Sequence, residues 1–285
     1  MLKKEILRKL KRKAILLNYM TFKKVIKIED NDIKIPTISD LSCTLTEAWM
    51  IGLLKHLLRK KQGAFFDVGI NLGQTLIKVK GVELKRKYIG FEPNPTCVFY
   101  VKKLIEKNQF EDCTIVPVGL FTEDKMLSLE CLTDSEFDSS ASLIENFRSG
   151  QTIYRRILVP CFRFENIRDT VNSDNVGIVK IDVEGAELEV VKSLYQLLKT
   201  QQPIVLLEIL PVYSTENTMR KERQEELERI FNELNYSFFR VEKDKNTFVG
   251  LKKIENIGIH SDLNQCDYVF MPNELVSEIQ NIARE

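Results

Sequence analysis

Ala64-Phe65-Phe66-Asp67-Val68-Gly69-Ile70-Asn71-Leu72-Gly73 is a short apolar run that ends in an acid and is followed by two closely spaced glycines. The run has the length and character of a strand buried on both faces. The glycines after it read as a tight turn into a helix, because a residue without Cβ lets the backbone turn sharply and lets a ligand come close. In an open α/β sheet, ligands sit outside the carboxyl ends of the strands. The turn after Val68 is therefore expected to floor a ligand site.

Two further stretches repeat the plan. Tyr88-Ile89-Gly90-Phe91-Glu92 is a second apolar strand with an acid at its end, placed to accept hydrogen bonds from two ribose hydroxyls. Val179-Lys180-Ile181-Asp182-Val183-Glu184-Gly185-Ala186-Glu187 is a third strand followed by acids, a glycine and a helix start. The dinucleotide fingerprint has three glycines and a helix N-terminus facing a pyrophosphate. Here Asp67 stands where that fingerprint has its first glycine, and a carboxylate repels a pyrophosphate. It welcomes an ammonium or a sulfonium, so the turn favours S-adenosylmethionine over NAD.

Asp67-Val68-Gly69-x-Asn71-x-Gly73, Phe91-Glu92-Pro93-Asn94-Pro95 and Lys180-Ile181-Asp182-Val183-Glu184-Gly185-Ala186-Glu187, in this order, resemble the FkbM family of S-adenosylmethionine-dependent methyltransferases. The similarity runs from about Gly63 to Met271. It implies a doubly wound α/β fold with a mostly parallel seven-stranded sheet, the Rossmann-like class I methyltransferase fold. By the same resemblance Asp67, Gly69, Asn71 and Gly73 hold the methionine end of the cofactor, Glu92 holds the ribose, and Asn94 and Gly119 flank the adenosine. Asp182 is then the first choice for the base or orienter of the acceptor, and Glu184 the second. Asp182 also fits a plain turn-capping carboxylate ahead of the next helix. The resemblance implies O-methylation of a small molecule or glycan acceptor: a sugar hydroxyl or a polyketide-like compound. An NAD-dependent oxidoreductase and a non-catalytic membrane-surface module are the competing readings. Family members often carry Leu-Asp where this chain has Phe164-Glu165, which bears on the acceptor pocket.

The rest of the chain sets the context. Its 285 residues suit one α/β domain with an extension, divided as 1–43 (basic helix and linker) and 44–285 (the methyltransferase domain). A net charge of +1 gives no case for nucleic acid as a partner. That balance conceals an excess of about +7 in residues 1–30. Leu2, Ile6, Leu10, Ala14 and Leu17 recur there at helical spacing among lysines and arginines, a basic amphipathic helix. Such a helix either packs on the domain with its basic face solvated or makes peripheral contact with an anionic membrane through residues 1–20. The six cysteines form no Cys-x-x-Cys pair, which argues for reduced thiols, a cytoplasmic location (at the inner membrane face if the helix docks there) and no zinc cluster. No acid or histidine spacing suggests another metal, so none is expected.

Further along, 74–80 reads as a helix, Pro95 opens another, and 114–118 reads as a third strand whose Pro117 marks an edge. The pair 125–132 and 154–162 reads as strands outside the main sheet. The polar stretch 133–150 is either a substrate lid or an insertion without fixed structure. Helices at 186–198 and 216–234 and strands at 203–209, 236–241 and 267–271 complete the alternation. His56 reads as structural, and His260 is the one other conceivable base.

Overall fold

The structure is a computed structural model and describes residues 21–38, 41–135, 137–145, 147–148 and 150–279. The basic helix expected within residues 1–20 lies outside them. The described residues between 21 and 43, read above as linker, instead form an antiparallel sheet of β1 (Thr21–Ile28), β2 (Asn31–Ile38) and β3 (Leu41–Ser42). The reason is visible in the side chains: Ile26, Ile28, Ile33 and Ile35 alternate with polar residues, and all four are buried. That is the two-residue period of a strand with one buried face.

This small sheet is fastened to the domain. The Tyr100 hydroxyl donates to the Pro36 carbonyl at 2.8 Å and accepts from the Cys43 amide at 2.7 Å. The Asn108 side chain donates to the Lys34 carbonyl and accepts from its amide, both at 2.7 Å. Asn31 donates to the Gly81 carbonyl at 2.9 Å.

The chain then alternates helix and strand: α1 (Trp49–Lys60), β4 (Ala64–Val68), α2 (Gln74–Val82), β5 (Tyr88–Phe91), α3 (Pro95–Asn108) and β6 (Cys113–Val116). An outlying three-stranded sheet follows, from β7 (Gly119–Leu120), β8 (Lys125–Cys131) and β9 (Arg155–Phe162). Its β8 and β9, read above as strands outside the main sheet, pair with each other, and they do so antiparallel. The second half comprises β10 (Val176–Ile181), α4 (Glu187–Ser193), α5 (Tyr195–Gln201), β11 (Ile204–Glu208), α6 (Thr218–Glu233), β12 (Tyr236–Asp244), β13 (Thr247–Ile254) and β14 (Asp267–Pro272). The single helix expected over 186–198 is two, separated at Leu194.

The central sheet has the order β13-β12-β14-β11-β10-β4-β5-β6. From β11 to β6 every neighbour is parallel, while β14 pairs antiparallel with both β11 and β12. The expected count of seven becomes eight, because 247–254 turns back on β12 as a hairpin and adds the edge strand β13. At the other edge lies β6, next to Pro117. Alternate residues feed two cores. Phe65, Ile178 and Leu206 join α1, α2, α3 and the N-terminal sheet, whereas Phe66, Val179 and Leu207 join α4, α5 and α6. The result is a sheet covered on both faces, with its functional edge at the carboxyl ends of β4, β5, β10 and β11.

Candidate functional site

The register brings the strand ends together. Ile181 lies beside Val68 and Leu207, and Val68 beside Phe91. The residues that follow these four strands therefore crowd one rim. Gly69 leaves β4 with φ of +89°, and a Cβ there would sit 1.9 Å from the Asp182 carbonyl oxygen. The glycine is needed so that the turn can pass against the end of β10. Asn71, at φ of 49°, uses the left-handed conformation that an asparagine tolerates.

Above this rim is a cavity of about 240 Å³. Of the residues singled out from sequence, Gly69, Asn71, Glu92, Asn94, Gly119, Asp182 and Glu184 line it. Apolar walls come from Val68, Ile70, Phe91, Val118, Leu120 and Leu143. Glu92 is fixed by two backbone amides, from Asn71 to Oε2 and from Asn94 to Oε1, both at 2.8 Å. Each oxygen retains a second acceptor position. Burial pushes this carboxyl up to about 7, against the pull of the two amides. Asn94 also caps α3, accepting from the Thr96 amide at 3.0 Å with Pro95 in the first turn.

Asp67 and Gly73 are not part of the lining. Asp67 is fully buried beneath the rim, where the Tyr88 hydroxyl donates to it and Lys180 Nζ lies 3.8 Å from Oδ1. Burial raises it to about 6, with Lys180 and Tyr88 opposing. Gly73 caps α2 in the left-handed conformation and faces Leu104 of α3, so its role is to let two helices approach. Lys180 stands between the two acids, 2.8 Å from Asp182 Oδ2. Burial draws its ammonium down, but Asp182 and Asp67 outweigh that and leave it above its ordinary value.

The described part of the 133–150 stretch is a wall of the cavity. Asp138, Ser139, Ala141 and Leu143 line it. Asp138 organises the loop by accepting from the Leu132, Thr133 and Ser140 amides at 2.6, 2.9 and 3.0 Å. Phe147 lies against Gly185, where a Cβ would come within 2.6 Å of its ring, and Arg220 stacks on that ring at 4.6 Å. Arg148 pairs with Glu184. Burial, then Asp182, raises the Glu184 carboxyl, and Arg148 counters them.

Several lining residues escape the motif reading. Glu208 ends β11 and faces the cavity, as does Glu47 from the segment before α1. The signal for Glu208 is its position, an acid at the end of an apolar strand. Glu47 carries no such signal. Carboxylate oxygens of Glu47, Glu208 and Asp267 lie within 4.8 Å of one another, a grouping that sequence spacing did not suggest. Lys78 lies 3.5 Å from Glu47, and Lys243 pairs with Asp267. His260 is not in the lining; its Nε2 is 3.0 Å from the Tyr268 hydroxyl. Glu165 is also elsewhere, 3.2 Å from Arg168. No helix among the described residues is long and apolar enough to cross a membrane.

The Methyltransferase FkbM domain matches residues 67–238. No curated protein matches the chain. The methyltransferase FkbM from Methylobacillus flagellatus KT is similar in structure, with a TM-score of 0.45 and 14% identity over 73% of this chain and 43% of that one. This chain therefore spans less than half the length of the Methylobacillus protein. The O-methyltransferase from Bacillus cereus in complex with SAH has a TM-score of 0.44 and 11% identity, covering 78% of this chain and 79% of that one. Fibrillarin from Aeropyrum pernix, with natively bound S-adenosyl-L-methionine, gives 0.43 and 12% over 88% and 99%.

Proposed function

Because the chain belongs to the FkbM methyltransferase family, whose methyl donor is S-adenosylmethionine, we propose that it methylates a hydroxyl of a sugar, glycan or polyketide-like small molecule. One observation carries the reading. A single cavity holds an amide-fixed carboxylate at one strand end, Glu92, and a lysine-held carboxylate two strands away, Asp182. The donor set suits the cofactor: acceptors for ribose hydroxyls, apolar walls for a base and an excess of carboxylates for a cation.

Glu92 holds the ribose. Asn71 and the backbone at Gly69 hold the methionine end, and Asn94 and Gly119 flank the adenosine beside Val118 and Leu120. Asp67 and Gly73 act indirectly, Asp67 by holding Lys180 and Gly73 by seating α2. The cofactor supplies an electrophilic methyl on a sulfonium. The protein's share is to place an acceptor oxygen in line with it and to exclude water, and positioning supplies most of such an acceleration. Asp182 and Glu184 stand at the acceptor side, with Asp182 positioned by Lys180.

Calorimetric titration with S-adenosylhomocysteine and with NADH tests the cofactor class. Binding of the first alone supports the reading, and binding of NADH alone overturns it. A screen of hydroxylated sugars with labelled methyl donor then tests the acceptor class.

A further inference from the structure

Behind the acceptor side, β10 and β11 end beside the start of antiparallel β14, and the segment before α1 closes over them. Four carboxylates meet there: Glu47, Asp182, Glu208 and Asp267. Three have an ammonium at hand. Lys180 is 2.8 Å from Asp182, Lys78 is 3.5 Å from Glu47, and Lys243 pairs with Asp267. Among the described residues Glu208 has no ion pair. It still faces the cavity beside Asp182 and Glu184. The other groups near it, Cys266 just before β14 and Tyr268 on it, carry no charge at neutral pH, since burial pushes both up to about 12.

Resting on the methyl-transfer reading, we propose that Glu208 takes the proton of the methylated hydroxyl, and that arrival of the sulfonium charge among these carboxylates is what frees Glu208 to do so. Crowded like charges bind a proton that solvent-exposed carboxylates would release. The charge of Asp182, then burial, then Asp267 hold Glu208 well above the ordinary carboxylate range. One oxygen of Asp182 is already occupied by Lys180, at 2.8 Å, and Asp182 orients the hydroxyl. In the step itself the acceptor oxygen bonds to the methyl carbon. The carbon–sulfur bond breaks with its electron pair on sulfur, and the hydroxyl proton passes to Glu208. Solvent removes that proton after product leaves.

S-adenosylmethionine and S-adenosylhomocysteine differ by the sulfonium charge, so they separate this idea from simple binding. Calorimetric titrations of the whole chain with each, at pH 7.5 in phosphate and in Tris, give the protons released from the dependence of heat on buffer ionisation. The methyl donor is expected to release about 0.5–1 proton more than the neutral product. In Glu208→Gln both ligands still bind and the difference vanishes. In Asp182→Asn, which removes the largest charge acting on Glu208, it shrinks.

Equal proton counts in the unaltered chain would overturn the proposal. So would a difference that persists in folded Glu208→Gln. Saturable magnesium or manganese binding that is lost in Glu208→Gln would overturn it in favour of a cation site. If Glu208→Gln does not fold, the Asp182→Asn comparison decides, and an undiminished difference there overturns the proposal. Failure of both ligands to bind would fall on the methyl-transfer reading instead.

Discussion

Replacing Glu92 by glutamine tests the ribose assignment and the burial account together. The carboxylate accepts one backbone amide on each oxygen, at 2.8 Å to Asn71 and 2.8 Å to Asn94. A glutamine has one acceptor oxygen, so its NH₂ must face one of those amides. The orphaned amide costs about 1–3 kcal/mol of stability. Relief of a buried charge acts in the opposite direction. A carboxyl held at about 7 in place of the ordinary 4.5 costs roughly 3 kcal/mol once ionised. The sign follows from proton linkage. The folded state keeps the proton to a higher pH than the unfolded chain, so this residue's contribution is most favourable below 4.5 and is lost as pH rises through about 7. Glu92→Gln should therefore be destabilising at pH 5 and nearly neutral at pH 8.5, a difference of roughly 2.5 kcal/mol between the two conditions. Urea denaturation at both pH values reads it. At pH 8 the variant should bind S-adenosylhomocysteine about 10- to 150-fold more weakly, the worth of hydrogen bonds to a charged acceptor. A stability difference independent of pH would refute the buried-charge account. Unchanged affinity in the folded variant would remove Glu92 from the ribose.

Asp182→Asn keeps shape but removes the charge that orients the acceptor hydroxyl; we expect near-normal S-adenosylhomocysteine affinity and a fall in kcat on the order of 10²-fold, in kcat/KM as well, once an acceptor is in hand. Near-unaltered turnover would reduce Asp182 to a turn cap. Gly69→Ala drives a Cβ to 1.9 Å from the Asp182 carbonyl at φ of +89° and should cost more than about 3 kcal/mol, read as a loss of several degrees in Tm; a Tm within a degree of the parent would mean that the turn relaxes freely. Deleting residues 1–20 should abolish salt-sensitive binding to anionic liposomes if that segment docks on membranes, and equal partitioning with and without it would leave packing on the domain as its role.

What the sequence reveals follows from how local each signal is. Asp67, Glu92 and Asp182 are legible because an acid closing an apolar run is a contiguous pattern, and the parallel sheet then aligns such ends. Ile26, Ile28, Ile33 and Ile35 also show their period, but the lysines and acids between them suggest a solvated linker until Tyr100 and Asn108 are seen holding the backbone. Lys78 and Lys80 look like the polar face of α2, yet both are fully buried. Lys80 donates to the carbonyls of Leu84, Arg86 and Glu111, acceptors brought in by loops that no local pattern foretells. β13 is half exposed and rich in lysine, so it resembles a loop. Glu47 reaches the cavity only because α1 packs where it does, whereas Glu208 stood at a readable strand end.

The fastening of residues 21–43 also bears on how this scaffold can be recombined. Ile28 fills the space over Gly81, leaving 2.4 Å to a Cβ there, and Tyr100 ties α3 to two points of the small sheet. At the other end, β14 lies between β11 and β12 in the central sheet. The family match, residues 67–238, therefore stops inside β12 and omits both the strand that joins it to β11 and the sheet that covers α2 and α3. Grafts cut at those limits would carry the cofactor rim and leave two raw hydrophobic seams. Breakpoints ahead of Thr21 and after Pro272 keep both seams closed, so a chimera that takes the cavity wall at 138–143 from a relative should keep the 21–272 frame intact.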